Sequence, residues 1–470
     1  GPLTTWMTAR LGYLPPDYKA KLGGGTMNLG EEYRWNVDTV YYGFTPDFVT
    51  YFGQRGIQEI DKAFKILNSL PDVTSIDVDK YPLTSLRLNH QAVALGIADL
   101  KSVVLSVALE ELGLTDPTRY VYTLRNRWTT PDPGGTTNFH IIRRNFEYVP
   151  ATKRYQASSY INGVLWTYDR VSDIRDGSVS WVVTAPVDPL ALYDGAVNAP
   201  VAGVQFSALG FWTGLTRDDV MGLKYLYDRN NWNVETPPAN ATLSLTGGNP
   251  WSVPAGTNTT GTNATTTGTN TFIANGIRSG IGKVTFVRAD YDSMVGLFEA
   301  FTNTFPDTVI SNRQEITQYL ERPVVAPDIL FNVRDLQGGD GDQAVPFFGT
   351  TLNQAWVNND GTNGITGNYG PGNIPPGNGG PALTVELNGV NEILVNTFPL
   401  DNLDEASATR YLFWGSFDGT TNEPVLYPAG ITMRDITERA FKRAQGSAWE
   451  VPPSVGTNTT DTGMTTGGTP

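Results

Sequence analysis

The chain has 470 residues, a formal net charge of −14, no cysteine and two histidines. An acidic field of that size repels phosphate backbones, so nucleic acid is not an expected partner, and disulfides, thiolate metal sites and cysteine nucleophiles are excluded. No apolar run approaches the ~18 residues that a membrane helix requires, so no membrane insertion is expected.

Residues 1–29 read as an N-terminal arm. Leu3, Trp6, Met7, Leu11 and Tyr13 are too apolar to be left in water, while Pro15-Pro16 and Gly23-Gly24-Gly25 break the segment too often for it to fold alone. These five residues are the expected assembly contacts, packing on another copy of the chain.

An α+β domain is expected over 30–235. Val40–Phe44 has strand character. Gln54–Asn68 carries Ile57, Ile60, Phe64 and Leu67 on one stripe and predicts an amphipathic helix that stops before Pro71. Asp99 is placed to cap a second helix, Leu100–Leu112, whose Val103, Val104, Val107 and Ala108 predict burial. Strand-like runs follow at 119–128, 138–148, 160–170 and 178–185. A closing helix, Arg217–Arg229, opens at Thr216 with Asp218 and Asp219 in its first turn, where the helix dipole favours carboxylates.

Residues 236–275 contain no charged side chain and form a Thr/Asn/Gly-rich linker; 454–470 form a low-complexity tail in the same vocabulary. Asn240, Asn258, Asn263 and Asn458 each head an Asn-x-Ser/Thr triplet, so glycans are expected on linker and tail. Between them, 276–453 reads as a mainly β, sandwich-like domain. Its strands fall at Lys283–Arg288, Thr308–Ile310, Glu315–Glu321, Ile329–Val333, Leu383–Leu387 and Tyr411–Phe417, with one late helix at Arg434–Ala444. Calcium is the one cofactor for which the sequence offers ligands, weakly: Asp340, Asp342 and Asp360 sit in Gly/Asn-rich loops outside any calcium-loop pattern.

The order of elements in the N-terminal half resembles a metzincin, matrixin-like protease core. The resemblance rests on the helix ending Val107-Ala-Leu-Glu-Glu-Leu-Gly113 and on Leu215-Thr-Arg-Asp-Asp-Val-Met-Gly-Leu-Lys-Tyr-Leu-Tyr227. That family needs His-Glu-x-x-His-x-x-Gly-x-x-His for zinc and its general base. With Glu111 in the general-base position, the three histidine positions fall on Glu110, Leu114 and Tyr120, and the glycine position on Pro117. The resemblance therefore implies a degenerate core, a pseudo-protease with no zinc. The whole chain also resembles large uncharacterised exported proteins of bacteria, through Tyr51–Ile60, Tyr160–Val164 and Trp414–Pro424.

No Gly-x-Ser-x-Gly elbow is present, and Ser279-Gly-Ile-Gly-Lys-Val-Thr285 is too short for a phosphate loop. The expected function is that of a secreted or cell-surface, non-catalytic structural subunit of an extracellular assembly: a filament, sheath or surface layer. The alternatives are a cell-surface adhesin or carbohydrate-binding protein and, third, a carboxylate-based hydrolase.

Overall fold

The structure is a computed structural model that describes residues 33–114, 117–130, 134–143, 145–172, 180–188, 200–202, 210–244, 272–274, 276–289, 291–292, 297–311, 313–336, 348–354, 357–358, 372–389, 392–394, 409–411 and 413–444. The elements that carry the argument begin with β1 (Tyr33–Trp35), β2 (Thr39–Phe44) and α1 (Pro46–Asn68). They continue through β3 (Ile97–Asp99), α2 (Leu100–Glu111), β4 (Tyr160–Ile161), β5 (Val164–Ser172), β6 (Ser180–Pro186) and α3 (Arg217–Tyr227). Next come β7 (Asn233–Glu235), β8 (Thr242–Leu243), β9 (Gly276–Arg278), β10 (Thr285–Arg288), β11 (Phe301–Ser311) and β12 (Gln314–Val324). The last are β13 (Ile329–Arg334), β14 (Phe348–Leu352), β15 (Gly372–Ile374), β16 (Leu383–Asn388), β17 (Phe413–Ser416), β18 (Val425–Tyr427) and α4 (Met433–Ala444). Sheet therefore dominates an α+β fold.

Helix α1 begins at Pro46, ahead of the expected Gln54. Thr45 accepts from Phe48 N at 3.2 Å, Pro46 occupies the first helical position and Asp47 lies in the first turn. These are start signals of the usual kind; Gly53 (φ 61) kinks the helix and masks its first part in the periodicity. Ile57, Ile60, Phe64 and Leu67 face the core as predicted, with Phe48 and Phe52 added. Helix α2 is buried at every position and capped by Asp99, whose carboxylate accepts from Ser102 N at 3.1 Å. It ends at Gly113, where φ is 98° and a Cβ would lie 2.2 Å from the Tyr33 carbonyl oxygen, so only glycine fits.

The central sheet has the order β10–β2–β13–β16–β14. Its first four strands run parallel, with Val40 beside Phe286 and Phe44 beside Phe331, and β14 is antiparallel. Helix α1 covers it with rings: Phe64 stacks on Tyr42 at 4.1 Å and meets Phe286 at 4.6 Å, and Phe48 lies 4.8 Å from Phe44. A second five-stranded sheet, β7–β9–β11–β12–β8, is antiparallel throughout. Smaller sheets join β1 to β15 and β3 to β17 and β18.

Both large sheets mix strands from before and after the linker. β2 is flanked on each side by strands from beyond residue 284, and β7 and β8 complete a sheet whose other members follow residue 275. The stretch expected as a linker at 236–275 thus contains β8 and connects strands of shared sheets. The strands expected to form a sandwich of their own over 276–453 divide between the two, except that Tyr411–Phe417 supplies β17 to the smaller sheet of β3 and β18. The chain forms two compact units, Gly1–Ala429 and Gly430–Pro470. The second contains α4, capped by Thr432, whose N donates to Asp435 Oδ2 at 2.9 Å.

Candidate functional site

The residues that the protease resemblance singles out lie where α2 ends. Trp35 Nε1 donates to Glu111 O at 2.7 Å, and Tyr227 OH donates to Leu112 O at 2.8 Å, so β1 and α3 together clamp that helix end. Glu110 and Glu111 are both buried, and Leu114 and Pro117 with them. Neither carboxyl oxygen of Glu111 has a hydrogen-bond partner. Burial, and then the Glu110 charge, push its pKa well above the ordinary carboxylate value. A helix-end carboxylate reaching solvent or Arg119 is the sequence expectation; instead Glu111 is 1% exposed, because β1 and α3 close over the helix end. The side chains of Arg119, Tyr120 and His140 lie outside the described residues, and His90 is exposed at the start of a short helix.

Other buried charges act as clamps. Arg34 Nε donates to Glu235 Oε1 at 2.8 Å, and its other nitrogens reach the carbonyls of Leu226 and Arg278. Arg278 holds Asp307 through two bonds of 2.8 and 3.0 Å, and Arg322 holds Asp328 through two of 2.9 and 2.8 Å. Burial nevertheless pushes Glu235 up to about 7, against the pull of Arg34. Burial likewise pushes Asp99 up to about 6, while Ser102 and Phe417 N hydrogen-bond it.

Asp219 accepts from Thr216 N, Thr216 Oγ1, Val201 N and Ala202 N at 2.6 to 3.0 Å. Its neighbour Asp218 is pushed up to about 7, chiefly by burial. Asp219 holds backbone, and neither carboxylate opens on solvent.

Among the described residues, no group of three or more His, Asp or Glu side chains gathers as a metal site. Asp340, Asp342 and Asp360 lie outside the described residues, as do Leu3, Trp6, Met7, Leu11, Tyr13, Asn258, Asn263 and Asn458. Asn240 is described: its amide nitrogen, the atom a glycan would take, donates to Pro323 O at 3.3 Å. Among the described residues no helix is long and apolar enough to cross a membrane, which does not bear on β-barrels.

Among the described residues, two apolar rows run across strands at the surface. In the antiparallel sheet, Val234 pairs with Ile277 and Ile277 with Ile310. Val234 and Ile277 are each 41% exposed. In the sheet of β4, β5 and β6, Tyr160 pairs with Leu165, and Val187 N donates to Leu165 O at 2.8 Å. All three side chains of that row are exposed. Sequence reasoning missed both rows. The alternation in each strand was visible, but which strands stand side by side was not.

Compared with protein families, with characterised proteins and with solved structures, the chain shows no match to any of them.

Proposed function

We propose that the chain is a non-catalytic structural subunit of an extracellular assembly. The observation that carries this reading is the pair of apolar surface rows on different sheets: Val234–Ile277–Ile310, with Val234 and Ile277 exposed and Ile310 half-buried, and Tyr160–Leu165–Val187, exposed throughout. Contiguous apolar surface of this kind marks contacts between macromolecules. Two separate surfaces on one chain allow open growth, whereas a single self-complementary patch closes after a pair forms. The charged side chains of the interior support the reading, since they hold strands together and the carboxyl of Glu111 is sealed. In this proposal the α2–α3 region is a zinc-less relative of the metzincin core, the protein works at the cell surface or outside it, and the linker and tail carry any glycans.

Negative-stain imaging of the purified chain tests it, alongside a Leu165→Lys variant. Regular polymers or sheets are expected from the parent, with growth lost or shortened in the variant. Discrete monomers from the parent at every concentration would remove the assembly reading.

A further inference from the structure

The outer face of the five-stranded antiparallel sheet has the composition of half a sandwich. Over 304–310 of β11 and 317–324 of β12 burial alternates: Phe305, Asp307, Val309, Gln318, Leu320 and Arg322 are buried on the inner face, while Phe301 and Ile316 on the same face are exposed near the strand ends. The outward positions are Thr, Pro, Ile and Tyr apart from Glu315 and Glu321, with Pro306 opposite Tyr319 and Thr308 Oγ1 within 3.2 Å of Thr317 Oγ1. The row Val234–Ile277–Ile310 crosses the neighbouring strands on that side. Of the outward residues of these five strands only Glu315 and Glu321 carry charge.

We infer that this face is covered by the same face of a second copy, so that two chains complete a sandwich across a twofold axis. The inference rests on the assembly reading above and specifies one of its contacts. Three observations favour a second copy as the occupant. Chains carrying a net charge of −14 repel one another, so contact between copies requires a face nearly free of charge, and this sheet provides one. Charge-poor, β-branched sheet faces pack on one another about 10 Å apart in sandwiches. From strand spacing and length the flat area comes to roughly 500 Å², whose side-chain relief brings it to the order of the ~800 Å² each partner buries in a stable complex. The twofold arrangement makes the contact self-complementary: each residue of the patch serves both copies.

The four carboxylates that the pairing brings together, Glu315 and Glu321 from each copy, repel one another, so pairing strengthens as sodium chloride screens them.

The test is light scattering on the full chain as it elutes from a sizing column, with Ile277→Lys, Thr308→Arg and Leu165→Lys compared and circular dichroism confirming the fold of each. The parent should show twice 51.2 kDa, or a larger even multiple. Ile277→Lys, or Thr308→Arg if the first fails to fold, should weaken pairing at least tenfold, while Leu165→Lys keeps it. A folded face variant that retains the parent mass overturns the inference. Should that variant also still polymerise under the microscope, the assembly reading survives and this face is not its contact. A parent that is monomeric in both measurements removes both.

Discussion

Glu111 shows how far a single carboxyl can depart from its place in a sequence. A buried acid with no donor for either oxygen is tolerable when protonated and costly when ionised, so its folded pKa rises and its proton is held. The sign for stability follows. The favourable contribution is fully present below the unfolded carboxylate value near 4.3 and is lost as pH climbs toward the raised folded value. Asp99 at about 6 and Glu235 at about 7, both raised mainly by burial, act in the same direction. Glu111→Gln should change stability only slightly at pH 5. Glu111→Met, which removes the stranded group and keeps the volume, should stabilise by about 1–3 kcal/mol at pH 8 and by less at pH 5. Urea unfolding at the two pH values measures this; equal gains at both would mean that the carboxyl is not held protonated. Burial of this kind is hard to read from a helix pattern, because α2 is covered on all sides and its periodicity therefore points nowhere.

Helix α3 is the element whose sequence signals and structure agree most closely. The helix opens at Thr216 with Asp218 and Asp219 in its first turn, as expected, and Asp219 reaches back to accept from Thr216 N and Oγ1. What the spacing leaves out is Asn162. This residue sits at φ 45 in the tight turn between β4 and β5, buried, with Oδ1 accepting from Asp218 N at 3.0 Å and Nδ2 donating to Thr216 Oγ1 at 3.0 Å. A hairpin tip therefore plugs the first turn of a helix more than fifty residues away. The Asn162-Gly163 pair was legible as a turn, since both residues tolerate left-handed backbone, but its target was not. Asn162→Ala should lose both bonds and strain the turn, costing about 2–3 kcal/mol. Asn162→Gly relieves the strain and should cost less. Thermal unfolding of the two variants decides the matter: an alanine variant no less stable than the glycine one would mean that the plug does not hold the helix.

Over the whole chain, the sequence located most strands and helices but misjudged what they join. The uncharged stretch at 236–275 marks a change of composition, and composition carries no information about pairing between distant strands. β2 has the apolar character of a strand buried on both faces, consistent with a place inside a parallel sheet, yet its neighbours β10 and β13 lie more than 240 residues away. The same holds for the bonds that surround the buried ion pairs: each pair lies within one half, yet Arg34 reaches the Arg278 carbonyl and Arg278 reaches the Glu235 carbonyl from opposite sides of the linker. Cutting the chain between residues 244 and 272 therefore removes no pairing among the described strands, whereas separating its halves strips β2 of both neighbours. Separation also takes from Arg34, Arg278 and Arg322 backbone acceptors that the other half supplies, each such bond to a charged group worth about 1.5–3 kcal/mol. Fragments 1–244 and 272–470 should be insoluble or unfolded when expressed singly, and should co-purify as one folded species when expressed together. Circular dichroism and sizing of the three preparations distinguish the outcomes. Two independently folded, non-associating fragments would restore the division into separate domains that the composition suggests, and would show that the shared sheets are not what holds this protein together.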